Sequence, residues 1–184
     1  MDFTEEHDFF RKSFRDFLQK EVVPHIEKWE KTGSIDRFIW EKFGEMGYFG
    51  LVAHAYLAMT HLEKEGSHAQ KEMYLTPSIT GEKIGCLCVT EPFGGSDVGG
   101  MRTTAVKKGD TYVLNGSKTF ITNGVYSDYL IVAAKTAPEL GNKGISIFVV
   151  DRDVKGLSAT KLDKKIKVSL TLCSILHLNV LSWQ

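Results

Sequence analysis

The segment Cys88-Val89-Thr90-Glu91-Pro92-Phe93-Gly94-Gly95-Ser96-Asp97 carries an apolar strand into a turn of glycines and short polar side chains. Gly94 and Gly95 permit positive φ and let a ligand approach the backbone, whose N–H groups can donate to it. Thr90 and Ser96 add hydroxyls, and Asp97 can fix the turn by accepting from its own backbone. Alone, this wording also suits a plain surface turn, which is the commoner case. A second segment, Asn115-Gly116-Ser117-Lys118-Thr119-Phe120-Ile121-Thr122-Asn123-Gly124, again mixes glycine, hydroxyl and amide side chains around one aromatic.

Other chemistry-bearing residues read more plainly. Glu91 and Asp97 resemble a paired acid and base, but beside a prolyl turn they are expected to bond the backbone. Cys86 and Cys88 alternate on a strand and point to one face, as buried free thiols rather than metal ligands. The histidines, including His54 and His61 on one helix, show no metal-ligand pairing, and no metal site is expected.

These segments sit behind a helical region. Thr4 can cap a first helix bearing Phe10, Phe14, Phe17, Leu18 and Val22 at helical spacing. Pro24 should kink or end it, with His25 to Trp29 continuing. A second helix follows Ser34 or Asp36 and stops at Gly47, and a third spans Ala53 to Glu65. Ser67-His68-Ala69-Gln70 is a capping box for a fourth, ending at Gly81, whose last turn Pro77 should tighten.

At Gly81 the period changes to that of strands. Ile84–Thr90, Arg102–Lys107, Tyr112–Leu114, Phe120–Ile121, Tyr129–Ala134 and Ile145–Val150 are predicted as strands, with a hairpin turn at Lys107-Lys108-Gly109-Asp110. Helices followed by strands imply an α+β fold, a helical segment leading into an antiparallel β-barrel or sandwich-like domain.

A chain of 184 residues can bury a sizeable core. Lys plus Arg equals Asp plus Glu at 23 each, so no basic field points to nucleic acid or an anionic membrane. The apolar run from Val168 to Trp183 is broken by polar residues and falls short of the ~18 apolar residues of a spanning helix. Three cysteines do not make a disulfide framework, and the acidic N-terminus resembles no targeting peptide.

Val89-Thr90-Glu91-Pro92, then Gly94-Gly95-Ser96-Asp97, Gly99-Gly100 and Arg102-Thr103, resembles the signature of the acyl-CoA dehydrogenases. Leu114-Asn115-Gly116-Ser117-Lys118 followed by Phe120-Ile121-Thr122-Asn123-Gly124 resembles that family's second motif. Val22-Val23-Pro24-His25, Trp29, Trp40 and Gly66–Glu82 resemble its helical first domain.

The resemblance implies FAD as cofactor, an acyl-CoA thioester as substrate and an electron-transfer flavoprotein as electron acceptor, with long-chain or general members the nearest wording. It implies a homo- or hetero-oligomer in the mitochondrial matrix or the bacterial cytoplasm. By motif, Leu87, Cys88, Val89, Thr90, Gly95 and Ser96 form one flavin wall, and Phe120, Ile121 and Thr122 form another. Thr90 would donate near N1 and the O2 carbonyl, Thr122 near N5, and Phe120 would pack on the ring. Ser96 would also touch the CoA part of the substrate.

Three departures accompany the resemblance. After Gly47-Tyr48-Phe49-Gly50-Leu51 a Gly-rich loop and helical hairpin of the family are missing. From Lys165 to Gln184 the tail has no match, and the C-terminal helical domain that carries the family's catalytic glutamate has no counterpart. No residue is therefore nominated as base. The expected organisation is residues 1–81 as an incomplete helical domain, 82–164 as the flavin-facing β domain, and 165–184 as an apolar tail. The expected function is a truncated or alternatively spliced acyl-CoA dehydrogenase, inactive or weak alone. The alternative is a non-catalytic flavin-binding or interaction module that pairs with a full-length relative.

Overall fold

The computed structural model describes residues 4–48, 53–161 and 173–182. The chain divides between Ile39 and Trp40 into two units. In the first, α1 (Glu5–Phe17) and α2 (Ile26–Thr32) are joined by a widened π-turn at Leu18–Val22 and a tight turn at Val23–His25. Pro24 lacks the N–H that would bond four residues back, so the ladder loosens just ahead of it. Trp29 is buried and donates through Nε1 to Asp36 at 3.0 Å, while Lys28 pairs with the same carboxylate oxygen at 2.6 Å.

Helix α3 (Phe38–Glu45) crosses the point of division, and α4 (Ala53–Glu65) follows in the second unit. The Ser67 box forms as its sequence demands: Gln70 N donates to Ser67 Oγ, and Ser67 N donates to Gln70 Oε1. It opens α5 (His68–Gln70), which runs through a second π-turn at Lys71–Leu75 into α6 (Thr76–Ile79). Pro77 was expected to tighten the last turn, yet the ladder widens before it. The Met73 carbonyl, which Pro77 cannot bond, accepts from Lys83 Nζ at 3.1 Å instead.

Among the described residues, seven strands form one sheet: β1 (Gly85–Cys88), β2 (Thr104–Lys108), β3 (Thr111–Thr122), β4 (Tyr129–Lys135), β5 (Ile145–Asp151), β6 (Leu157–Lys161) and β7 (Cys173–Ser182). Their order is β1-β4-β2-β3-β7-β6, with β5 on the other side of β4. The fold class is α+β as expected, but the sheet is mixed and, among the described residues, does not close into a barrel. β1 runs parallel to β4, from Gly85 opposite Tyr129 to Cys88 opposite Val132. Side-chain alternation fixes which face is buried, not which way a neighbouring strand runs.

The uninterrupted apolar wording of β4 has a direct cause, because both its faces are covered. Leu130, Val132 and Ala134 join Cys86, Cys88, Leu114, Phe148 and Leu176 in the main core. Tyr129 and Ile131 face the helical layer, against Leu62 and Tyr74. Ser78 Oγ and the Tyr129 hydroxyl lie 2.9 Å apart, and Tyr74 donates to Asp151 at 2.9 Å. The helices after Trp40 therefore belong with the sheet, and the boundary expected at Gly81 marks a change of element rather than of compact unit.

The hairpin at Gly109-Asp110 forms with Gly109 at φ +61°, which a primed hairpin turn needs at its first central position. Two strands were not foreseen, β6 and β7. β7 pairs with β3 from Tyr112–Ser182 to Thr122–Cys173, so the sheet runs past the boundary drawn at Lys164. The start of the apolar tail, residues 165–172, and the junction at Leu51 and Val52 lie outside the described residues.

Candidate functional site: two motif segments over a buried ion pair

The two motif segments meet. The peptide N–H of Thr119 donates to the Thr90 carbonyl at 2.9 Å, which fixes the end of β1 against β3. Glu91-Pro92-Phe93-Gly94 closes as a tight turn, with reciprocal Glu91–Gly94 backbone bonds of 3.0 and 3.1 Å. Its tip, Phe93, is exposed and lies under the Arg102 guanidinium, 4.2 Å from the ring centre. The next turn is pinned by Asp97, which accepts from Gly100 N at 3.0 Å.

Beneath this surface lies a buried charge pair. Lys118 Nζ donates to Glu91 Oε1 at 2.8 Å and to the Val89 carbonyl at 3.1 Å, with the lysine side chain fully buried. Glu91 also accepts from Arg102 N at 2.7 Å, from Thr103 N at 3.0 Å and from the Thr103 hydroxyl. Burial pushes the Glu91 carboxyl up, but Lys118, the Thr103 hydroxyl and the two peptide N–H groups outweigh it and hold the pKa at about 2. Burial holds the Lys118 ammonium below its usual range, with Glu91 pulling the other way. Gly116 completes the arrangement, since a Cβ there would sit 2.3 Å from Thr103 Oγ1.

Immediately after Lys118, β3 breaks register. Lys118 pairs with Leu176 and Ile121 with Ser174, so β3 carries one residue more than its partner. Phe120 takes up the bulge at φ +56° with its side chain 61% exposed. A bulky aromatic in left-handed backbone is strained, and this one is also turned to solvent. Asn123 is the second such residue, at φ +62°, and it is buried. Its Oδ1 has no hydrogen-bond partner among the described residues.

The nominated residues fall into three groups. Thr90, Gly95 and Phe120 lie on the segments just described; a Cβ on Gly95 would meet Thr90 Cγ2 at 3.2 Å. Val89 and Thr122 are half-buried beside them, and Ser96 is exposed on the loop. Cys88 and Ile121 are core side chains and Leu87 packs towards the helical layer, so these three can offer a ligand only backbone.

Glu91 does bond backbone, as its turn position implies, but its ion pair with Lys118 was missed. The signal was present: counting by twos from buried Leu114 through Gly116 places Lys118 on the same inward face. A lysine at an inward position requires an acid. Cys86 and Cys88 are buried free thiols with sulfurs 3.6 Å apart, and burial pushes the Cys88 thiol well up. Among the described residues, no three His, Cys, Asp or Glu side chains gather as a metal site, and no helix is long and apolar enough to cross a membrane.

The two segments gather an exposed aromatic in left-handed backbone, two half-buried threonines, a glycine turn and a buried amide oxygen without a partner among the described residues. The family description "Acyl-CoA dehydrogenase, middle domain" matches residues 86–179, and "Acyl-CoA dehydrogenase, N-terminal domain" matches residues 4–56. The chain belongs to the acyl-CoA dehydrogenase family. The long-chain specific acyl-CoA dehydrogenase of Rattus norvegicus mitochondria is 36% identical over 198 residues, covering 88% of this chain and 46% of the relative. The aligned stretch is longer than this 184-residue chain, so the relative carries residues within the matched span that the chain lacks.

Among solved structures, the acyl-CoA dehydrogenase of Geobacillus kaustophilus superposes with a TM-score of 0.88 at 33% identity, covering 98% of this chain and 57% of its own. A glutaryl-CoA dehydrogenase of Mycobacterium smegmatis in complex with FADH2 superposes at 0.88 with 26% identity, covering 98% and 54%. The chain spans about half the length of the curated relatives it matches. The middle-domain match reaches into β7, beyond the point where the sequence resemblance was taken to end.

Proposed function

We propose that this chain supplies the flavin-facing wall of an FAD-dependent acyl-CoA dehydrogenase of the fatty-acid β-oxidation type, and that the 184-residue chain alone turns over weakly or not at all. The observation that carries the first half is Phe120, held exposed in strained backbone and tied through Thr119 to Thr90. Such strain persists where the surrounding structure over-determines it, and it clusters at active sites and ligand clamps. The residues present fit a flavin: Phe120 offers a ring face, Thr90 and Thr122 offer hydroxyl donors, and the orphaned Asn123 oxygen offers an acceptor.

When bound, FAD supplies a hydride acceptor for the α,β-dehydrogenation of an acyl-CoA thioester. Thr90 would donate, by hydroxyl or peptide N–H, to the pyrimidine edge of the flavin, where a pre-aimed donor would stabilise developing negative charge. Thr122 would donate to the flavin from the second segment, and Ser96 on the exposed loop would touch the CoA portion of the substrate. Glu91, the motif's own carboxylate, is buried and already bound by four donors, so it is not free to take the substrate's α-proton. A missing general base costs ~10²–10⁴ in rate. Electrons would pass to an electron-transfer flavoprotein, and the setting would be the mitochondrial matrix in a eukaryote or the cytoplasm in a bacterium.

Purified chain titrated with FAD tests the reading. Flavin fluorescence should be quenched on binding and the protein should turn yellow, while acyl-CoA reduces an artificial electron acceptor slowly or not at all. Failure to take up FAD at any concentration tried sinks the flavin-wall half. Turnover matching that of a full-length relative sinks the other.

A further inference from the structure

The pair formed by Glu91 and Lys118 is the most buried charge in the described sheet, and the assigned chemistry does not use it. Its geometry reaches further than stability. Lys118 Nζ holds the Val89 carbonyl at 3.1 Å, and all peptides of the described chain are trans. In a trans peptide the C=O and the following N–H point in opposite directions. Fixing the Val89 oxygen on the buried ammonium therefore turns the Thr90 N–H away from the core, towards the side from which a ligand must come. The Thr90 carbonyl is held in turn by Thr119 N, the residue between Lys118 and strained Phe120.

Glu91 provides the matching restraint from the other side. Its carboxylate fixes the ammonium, and it also gathers the peptide N–H groups of Arg102 and Thr103, anchoring the Gly-rich loop at both ends. One lysine thus touches both motif segments, and one glutamate closes the loop over it. Replacing a buried ion pair by neutral side chains of similar volume is often close to neutral in stability, so stability alone does not call for charge here.

We propose that Glu91 and Lys118 are positioning residues for the flavin wall: the pair aims the Thr90 N–H outward and holds the Thr119–Phe120 bulge in its strained form. This rests on the flavin reading of the same surface. The pair touches no ring atom. It acts through Thr90 and Phe120, and the cost of desolvating both charges purchases orientation rather than bulk stability.

The test uses the full chain and two independent readouts. In the chain without flavin, amide NMR signals of Thr90 and Phe120 are compared between wild type and the double variant Glu91→Gln/Lys118→Met. Those two signals should move or split, while the amides of β5 keep their positions. Flavin affinity of the double variant, read by fluorescence quenching, should fall at least tenfold. If it does not fold, Lys118→Arg serves instead. It keeps the charge, but a planar guanidinium cannot sit on the Val89 oxygen and Glu91 Oε1 as a point ammonium does. It should shift the same two signals and weaken flavin to a smaller extent.

Unmoved Thr90 and Phe120 signals overturn the proposal, and so does a flavin affinity that either variant leaves unchanged. If the wild-type chain takes up no flavin while the two signals move as expected, the flavin reading fails and the positioning role stands.

Discussion

Each motif segment buries one charged residue and presents one aromatic to solvent, and the two pairs obey opposite rules. Inward, Glu91 and Lys118 are buried, charged and bonded at short range. Outward, Phe93 and Phe120 are apolar and exposed, with Phe120 in backbone that a phenylalanine avoids. A fold selected only for stability would exchange them, placing aromatics inside and charges outside. On the positioning role proposed above, the inner pair holds the backbone so that Phe120 can be offered to a ligand.

The sharpest way to break the comparison is to remove one inner partner. Lys118→Met leaves the Glu91 carboxylate buried without its counter-charge and frees the Val89 carbonyl. The expected loss is about 3–5 kcal/mol, read as a drop in the urea midpoint of unfolding. The double variant Glu91→Gln/Lys118→Met should lose clearly less than the single one. If the two lose equally, the charges are not energetically coupled and the inner pair is only packing.

Acid separates the same pair more gently. The Glu91 carboxyl titrates at about 2 in the folded chain, against an ordinary value of 4.5. A carboxyl depressed in the folded state contributes stability that is complete above its unfolded value and is lost as pH falls towards the folded one. The window is therefore from about pH 4.5 down to about 2, and the contribution is about 3 kcal/mol by linkage. Glu91→Gln should lack this part of the acid dependence while keeping that of the other carboxylates. Parallel stability-versus-pH curves for wild type and variant would show that Glu91 is not held as its contacts imply.

What the sequence disclosed and what it hid follow the same division. The outer features were legible because they break local rules: glycines after a strand, a lone aromatic among hydroxyls, an Asn-Gly turn. The helix ends were legible for the same reason, and α4 runs from Ala53 to Glu65 as its wording implies. The inner pair was hidden because its partners lie 27 positions apart, and only period-2 counting along β3 exposes the inward lysine. β3 itself read as two short strands, since the bulge at Phe120 interrupts the alternation that defines a strand. The direction of β1 against β4 was not legible at all, because alternation is the same in parallel and antiparallel pairs. Pro77 misled in sign: the missing N–H widened the turn before it because Lys83 was at hand to take the freed carbonyl.

The smallest expected effect divides outer from inner most cleanly. Phe120→Gly removes the side chain that left-handed backbone disfavours, at a site with little packing to lose. Relief of that conformation should raise stability by about 1 kcal/mol, visible as a higher urea midpoint. The same variant should bind FAD more weakly, because the ring face is gone. The single variant Lys118→Met cannot give this combination, since it loses stability and flavin together. If Phe120→Gly lowers both, the aromatic is part of the packing and its exposure carries no function. If it raises stability and leaves flavin uptake intact, the ring of Phe120 is not the surface that FAD lies against. A gain in stability with a loss of flavin leaves one account of the strain, namely that the chain holds Phe120 outward for the ligand.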